Sequence, residues 1–355
     1  MPPTALTAAP VTSRDAWDRE VLALGGHPLQ LWGWGQVKAA GAWTPHRLRV
    51  TDGDTLVGLA QVLVRRLPAP FGRLSYVPRG PVVLGDDEAD GSRERRAAVA
   101  AAVVDWCREN VGGIGVSLEP DWAAGSGPDL PGVREGGPTV LVPTTVVLDL
   151  TRSADELLAD MDRSPRHDIR KAARDGMDIR RVTDERDVRA VLDVYRETAR
   201  RADFALHSDE YYLSVQRELG ERSVLVAAYR DDEPVSFSWC INSARTSFQL
   251  YGGGTAAGRK MRATTPVYWR SVEIAQRDGL ARFDLNGLLN DGISDFKRSL
   301  AAHEDAMVGT LDVPFSPLYD AWTRLLPLAK RTLRALRHRG DVARETAPAA
   351  GPTAG

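Results

Sequence analysis

Lysine is the scarce cation of this chain: five, at positions 38, 171, 260, 297 and 330, stand against 41 arginines. Each Lys therefore raises a question of chemistry. Two have suggestive neighbours. LWGWGQVKAAGAW (31–43) sets Lys38 among three Trp, and DFKRSL (295–300) brings Lys297 soon after FDLNG (283–287), a strand end carrying Asp284 and Asn286. YGGG (251–254) closes a strand at Tyr251 and enters a glycine loop. YVPRGP (76–81), with Tyr76 and Arg79, does the same in the first half of the chain. Polar side chains at strand ends facing a cleft are where α/β proteins place their sites. Taken singly, a glycine loop after a strand is a turn, a Trp is core and a Lys is solvated.

The common signatures of other chemistries are missing. There is no GxGxxG after a strand, no GxxxxGK[ST], no HExxH, no CxxC and no GxSxG. The six His are scattered. No metal and no cofactor are expected.

The elements that must position these residues follow from pattern. At about 150 residues per domain, 355 residues predict two domains. Hydrophobic residues are 43% and charged residues 26%, which excludes a disordered chain, a collagen-like fibre and a coiled coil. A net charge of -2 gives no global field toward nucleic acid or membrane, so such binding needs a local basic patch. No apolar run approaches the roughly 20 residues of a membrane span. MPPTALTAAP has neither a basic nor an apolar leader region, and the two cysteines, Cys107 and Cys240, form no framework. The expected location is cytoplasmic.

Residues 1–12 read as a flexible arm and 341–355 as a disordered tail. Between them each half repeats one order: helix pair, strand, charged turn, two strands, a Gly/Pro loop, a helix, a Gly stop and a strand. In the first half the helices are 14–24, 31–40 and 92–110, and the strands lie at 46–51, 56–67, up to 76, and 114–118. In the second half helices are expected at 185–201, 208–219 and 265–278, with strands at 223–229, 234–242, 246–251 and 282–285. WCRENVGGIGV answers AQRDGLARFDL. This is a duplication of element order, giving an α/β protein of two similar units with a cleft between them. The expected domains are 13–148 plus 317–340, and 149–316. The last helix, 317–339, carries Arg331 and Arg334 on a basic face. SPRHDIRKAARDG adds Arg166, Arg170 and Lys171.

Together these segments resemble the FemABX family of aminoacyl-tRNA-dependent peptidyltransferases. The carriers, in family order from about residue 30 to 310, are LQLWGWGQVKAAG, QVLVRRLPAPFGRLSYVPRGPVV, SPRHDIRKAARDGM, YGGG, TPVYWRSVEIAQRDG and FDLNGLLNDGISDFKRSLAAHED. The resemblance implies two tandem GCN5-type N-acyltransferase-like domains, in a compact form without the coiled-coil arm of some members. It implies transfer of an amino acid, with glycine the first candidate, from aminoacyl-tRNA to the stem-peptide amine of a peptidoglycan precursor.

The resemblance also assigns roles. Lys38 matches the family Lys that contacts the precursor's phosphate and sugar end. In ADFALHSDEYY, Tyr211 matches the Tyr of an Arg-xxx-Tyr pair, and His207 stands in the Arg position. Tyr251 matches a tyrosine lining the acceptor channel, with Tyr76 and Arg79 as further substrate contacts. Lys297 matches a Lys near the reacting carbonyl and is the catalytic candidate. The acidic residue that sometimes follows the RGP strand is not matched: Val83-Leu84 occupy that stretch, and the nearest acids are Asp86 and Asp87. Arg166, Arg170, Lys171, Arg331 and Arg334 are the candidate tRNA contacts. Anionic lipid at the inner membrane face is a further expected partner of the basic final helix. Three other readings stay open. They are the same chemistry on a natural-product amine, an acyl-CoA-dependent N-acyltransferase, and a silent binding protein.

Overall fold

The computed structural model describes residues 6–85, 91–137, 139–289 and 291–326. Two mixed sheets form the framework. The first runs, in spatial order, Thr7–Pro10, Trp43–Asp52, Thr55–Arg66, Arg73–Pro78, Gly115–Glu119, Leu311–Pro314 and Arg134–Glu135, with Val82–Val83 also on Thr55–Arg66. The second runs Ile179–Val182, Ser223–Arg230, Glu233–Asn242, Thr246–Gly254, Arg282–Asp284 and Val147–Asp149. Each sheet is antiparallel except at one place. Arg73–Pro78 lies parallel to Gly115–Glu119, and Thr246–Gly254 lies parallel to Arg282–Asp284. A parallel pair needs a crossover. Helix Ser92–Asn110 makes the first and helix Thr264–Arg277 the second. The expected duplication is therefore present as two topologically equivalent units.

Local pattern explains the helices. In Glu185–Ala202 the buried residues Val188, Val191, Leu192, Val194, Tyr195, Thr198 and Ala199 recur every three or four positions, and the Asp184 carboxylate accepts from Arg186 N at the start. Strand Ser223–Arg230 is buried on both faces over seven of its eight residues, as a central strand covered by helices must be. The largest core cluster joins the two units. Trp17, Leu29, Leu31, Trp34 and Val37 from the first pack with Leu192, Tyr195, Tyr212, Phe237, Trp239 and Phe248 from the second.

The units are also interleaved through their edges. Val147–Asp149 follows the first unit in sequence but pairs with Arg282–Asp284 in the second sheet. Leu311–Pro314 follows the second unit but pairs with Gly115–Glu119 in the first. Residues 311–314 thus leave the expected 149–316 domain. Leu311 and Val313 are buried in the first sheet, and Ser117 Oγ donates to Asp312 Oδ1 at 2.6 Å.

Three further expectations are corrected. Residues 7–10, placed in the flexible arm, form a strand paired with Leu48–Thr51. Glycines 252–254 are not a loop: they continue their strand, paired with Ser236–Ser238. A Cβ at Gly252 would lie 2.1 Å from Tyr268 Oη and one at Gly253 2.4 Å from Thr198 Oγ1, so bare backbone lets two helices close on the strand. Ser164 before Pro165 reads in the sequence as an N-cap with proline at the first helical position, but helix Arg163–Arg174 begins earlier, after Asp162, whose side chain makes no capping hydrogen bond, and places Pro165 in its first turn, where no N–H partner is required. Residues 341–355 and the far part of the final helix lie outside the described residues, and helix is described over 318–326.

Candidate functional site

The first cluster forms where helix Trp32–Ala39 of one unit meets helix Asp209–Leu219 of the other. Gly33 permits the approach: a Cβ there would sit 2.3 Å from Glu218 O. Gly33→Val is expected to destabilise the protein by about 1–3 kcal/mol through overpacking, read by denaturant unfolding, and to pull Lys38 away from Tyr211. Lys38 Nζ donates to Tyr211 Oη at 2.7 Å, and Tyr251 Oη reaches Tyr211 Oη at 3.5 Å. The same ammonium lies 4.3 Å from the Trp34 ring centroid and 5.1 Å from that of Tyr211, within cation–π range. His207 stacks on Tyr211 with centroids 4.0 Å apart. Burial, and then the Lys38 charge, lower the His207 pKa, so the imidazole is neutral at pH 7. Tyr251 packs edge-on against Tyr212 and Trp239, and burial raises its pKa well above 10. It is a hydrogen-bonding phenol, not a phenolate.

The second cluster stands at the end of strand Arg282–Asp284. Asp284 is fully buried; its Oδ1 accepts from Thr145 Oγ1 at 2.6 Å and from Asn286 N at 2.8 Å. Asn286 takes a positive φ of 64° and turns the chain, a conformation Asn tolerates better than most residues. Asp291 then caps the short helix Gly292–Arg298 by accepting from Ser294 N. That helix carries Lys297, which is 9% exposed and donates to Gly287 O at 2.9 Å and Asn286 O at 3.2 Å. An ammonium has three N–H donors, and among the described residues two of them are used. Burial pushes the Lys297 pKa down to about 8, against the opposing pull of Asp284 and Asp291. The result is a positioned, partly desolvated cation. Tyr268 links the clusters. Its ring meets Phe296, beside Lys297, edge-on at 5.0 Å, and its hydroxyl lies against Gly252, beside Tyr251.

Tyr76 and Arg79 are placed differently from the other candidates. Tyr76 is buried and donates to Glu119 Oε2 at 2.5 Å. Glu119 also accepts from Thr139, Thr310 and the backbone of Val140 and Leu141. Tyr76 is thus a tie within the first unit, its ring 5.9 Å from that of Trp43. Arg79, in a left-handed conformation (φ 49°), is 3% exposed, and its Nη2 lies 3.7 Å from Asp284 Oδ2 across the unit boundary. Arg170 and Lys171 are exposed on helix Arg163–Arg174, with Lys171 paired to Asp175; Arg166 is half-buried, reaching Ala159 O at 3.5 Å. Arg331 and Arg334 lie outside the described residues. Glu119, His27 and Arg282 escaped the sequence reading because isolated polar residues inside apolar segments carry no pattern. Among the described residues no group of three or more His, Cys, Asp or Glu could hold a metal ion.

Comparison with known proteins agrees with this architecture. Residues 161–298 match the acetyltransferase (GNAT) domain family. The lipid II:glycine glycyltransferase of Staphylococcus aureus (strain MRSA252) is 24% identical over 215 residues, 55% of this chain and 48% of that protein. The chain therefore spans about half the length of the curated relatives it matches. Among solved structures, FemX superposes with a TM-score of 0.76 at 16% identity, covering 88% of this chain and 99% of that one. The L-PGS of Bacillus licheniformis gives 0.51 at 12% identity, covering 92% and 96%. The chain thus has two units of like topology, the second of which matches the GNAT domain; it is similar to the lipid II:glycine glycyltransferase of Staphylococcus aureus and shares the fold of FemX.

Proposed function

We propose that this chain is an aminoacyltransferase that moves an amino acid, glycine as first candidate, from aminoacyl-tRNA to the stem-peptide amine of a peptidoglycan precursor. The observation that carries the reading is Lys297, a buried cation with one N–H uncommitted among the described residues, in a chain similar to the lipid II:glycine glycyltransferases. The amine nitrogen attacks the ester carbonyl and forms the amide. The bond from carbonyl carbon to ribose oxygen breaks, and the ribose hydroxyl leaves with the proton the amine gives up. An ester is already activated, so positioning and oxyanion stabilisation suffice. Lys297 supplies the positive charge toward the developing oxyanion. Lys38, Tyr211 and Tyr251 form the acceptor wall, with Lys38 facing its phosphate end. The exposed Arg170 and Lys171, with Arg166, are candidates for tRNA phosphates. No described helix is long and apolar enough to cross a membrane. A lipid-linked acceptor would be met by peripheral contact at the inner face, from the cytoplasm.

The test uses the purified chain, total tRNA charged with labelled amino acids, and lipid-linked or nucleotide-linked precursor. Label on the stem peptide, abolished by RNase, is expected. No transfer to either precursor with the tRNA ester intact overturns the reading.

His207 favours one second reading, a small-molecule amine acceptor. A neutral imidazole has neither the charge nor the fork of an Arg. The variant His207→Arg discriminates. A phosphate-bearing acceptor is expected to gain about tenfold or more in KM, the worth of a charge-assisted hydrogen bond. A natural-product amine without phosphate gains nothing.

A further inference from the structure

Behind the RGP segment, the boundary between the units encloses a cavity of about 410 Å³, a size that fits a small ligand. His27 and Arg79 line it from the first unit, Arg245 and Arg282 from the second, with Asp121 between them. Several polar atoms on its wall are buried and have no hydrogen-bond partner: His27 Nε2, Arg79 Nε and Nη2, and Arg282 Nε. Buried donors in folded proteins are nearly always paired, so four orphans on one cavity need an explanation.

The state of His27 follows from its neighbours. Leu29 N donates to His27 Nδ1 at 3.1 Å, so that nitrogen carries a lone pair. Burial holds the imidazole pKa well below 6.5, with Arg79 and Arg282 adding to the shift against the opposing Asp121. The ring is neutral, and its proton sits on Nε2. All four orphan atoms are therefore donors. Arg282 uses one arm, Nη2, on Asp121 Oδ1 at 2.9 Å. Arg79 faces Asp284 only at 3.7 Å. Arg282 feels the charges of Asp121, Asp284 and Asp305, and Arg245, exposed, lines the opening.

We propose that this cavity is an oxyanion-binding site, in which Arg79, Arg282 and the Nε2–H of His27 hold a phosphate or carboxylate group that enters past Arg245. Asp284 Oδ2, itself without a hydrogen bond, faces Arg79 Nη2 at 3.7 Å, while His27 Nε2, Arg79 Nε and Arg282 Nε have no acceptor, and an anion supplies one. The proposal does not rest on the transferase reading. It concerns binding alone, and its test contains neither tRNA nor precursor.

The experiment titrates the full-length chain with inorganic phosphate and, separately, with acetate at constant ionic strength, chloride serving as control. Calorimetry reads binding and thermal unfolding reads the linked stabilisation. Saturable one-site binding of phosphate or acetate, with chloride inert, is expected. Preference for phosphate identifies a phosphate-bearing ligand, and preference for acetate a carboxylate. Arg79→Gln is expected to weaken binding about ten- to hundredfold, the range for a hydrogen bond to a charged group. Arg245→Glu changes an exposed residue and leaves the buried pairs intact. It is expected to weaken binding about tenfold by reversing the charge at the opening, and it decides the matter if Arg79→Gln does not fold. Absence of saturable binding up to about 10 mM of either anion, or binding undiminished in Arg245→Glu, overturns the proposal.

Discussion

Replacing Lys297 by Met is expected to lower kcat about 10²- to 10³-fold, with KM for either substrate little changed, because in the proposed mechanism the lost donor acts on charge that exists only in the transition state. Lys297 cannot drift: two backbone carbonyls fix its ammonium, and Asp291 fixes the helix that carries it. The pH profile supplies an independent signature. The pKa is pushed down to about 8, so the ammonium of the folded protein loses its proton earlier than a free lysine would. A cation in the mechanism makes the wild-type rate fall as pH rises through about 8. The Met variant, slow throughout, lacks that limb. Single-turnover rates from about pH 6 to about pH 9, corrected for spontaneous ester hydrolysis, read it. A rise through pH 8 that Lys297→Met abolishes would instead make Lys297 a base and sink the electrophilic role, whereas a rise shared by both proteins belongs to the acceptor amine.

The second large effect concerns stability. Asp284→Ala is expected to cost about 3–5 kcal/mol, since removing one partner of a buried ion pair leaves the other charge uncompensated. Arg79 would lose its counter-ion at 3.7 Å, while Thr145 Oγ1 and Asn286 N would lose their acceptor. The double variant Arg79→Met with Asp284→Leu is expected to recover much of that loss, because an apolar pair avoids the desolvation of both ions. Denaturant unfolding of the wild type, both single variants and the double variant measures the coupling. Equal losses in the double variant and in the sum of the singles would show that the two charges do not interact. Asp284 also helps keep Lys297 protonated, so Asp284→Asn is expected to move the pH limb to lower pH.

Much of this arrangement is legible in the sequence, for identifiable reasons. Long amphipathic helices announce themselves: 92–110 and 185–202 are expected within a residue or two of where they lie, because their buried positions repeat every three or four residues. The duplication is legible because both units stop a crossover helix with glycine before a buried strand. Lys38 and Lys297 stand out because lysine is rare here. What the sequence hides is long-range. Nothing local says that residues 7–10 find Leu48–Thr51, or that residues 311–314 return to Gly115–Glu119. Pairing over such separation is a tertiary property that β-propensity does not encode. YGGG reads as a loop by composition, but tertiary packing keeps its glycines extended, since only bare backbone fits beneath Tyr268 and Thr198. The seven-residue helix bearing Lys297 is too short to show a period, and its start is set by the Asp291 cap alone.

The exchange of edge strands bears on how such a chain can arise. Each unit is closed by the strand that trails the other: Val147–Asp149 crosses one way and Leu311–Pro314 the other. A lone copy of the unit in this arrangement would send its trailing strand away from its own sheet and leave an open edge beside the parallel pair. A second copy would solve both problems by reciprocal donation. The chain thus has the topology of a strand-swapped homodimer whose copies have been joined end to end. Once joined, the copies were free to diverge. Lys38 could remain on one and Lys297 on the other, and a symmetric pair of clefts could become a single asymmetric one.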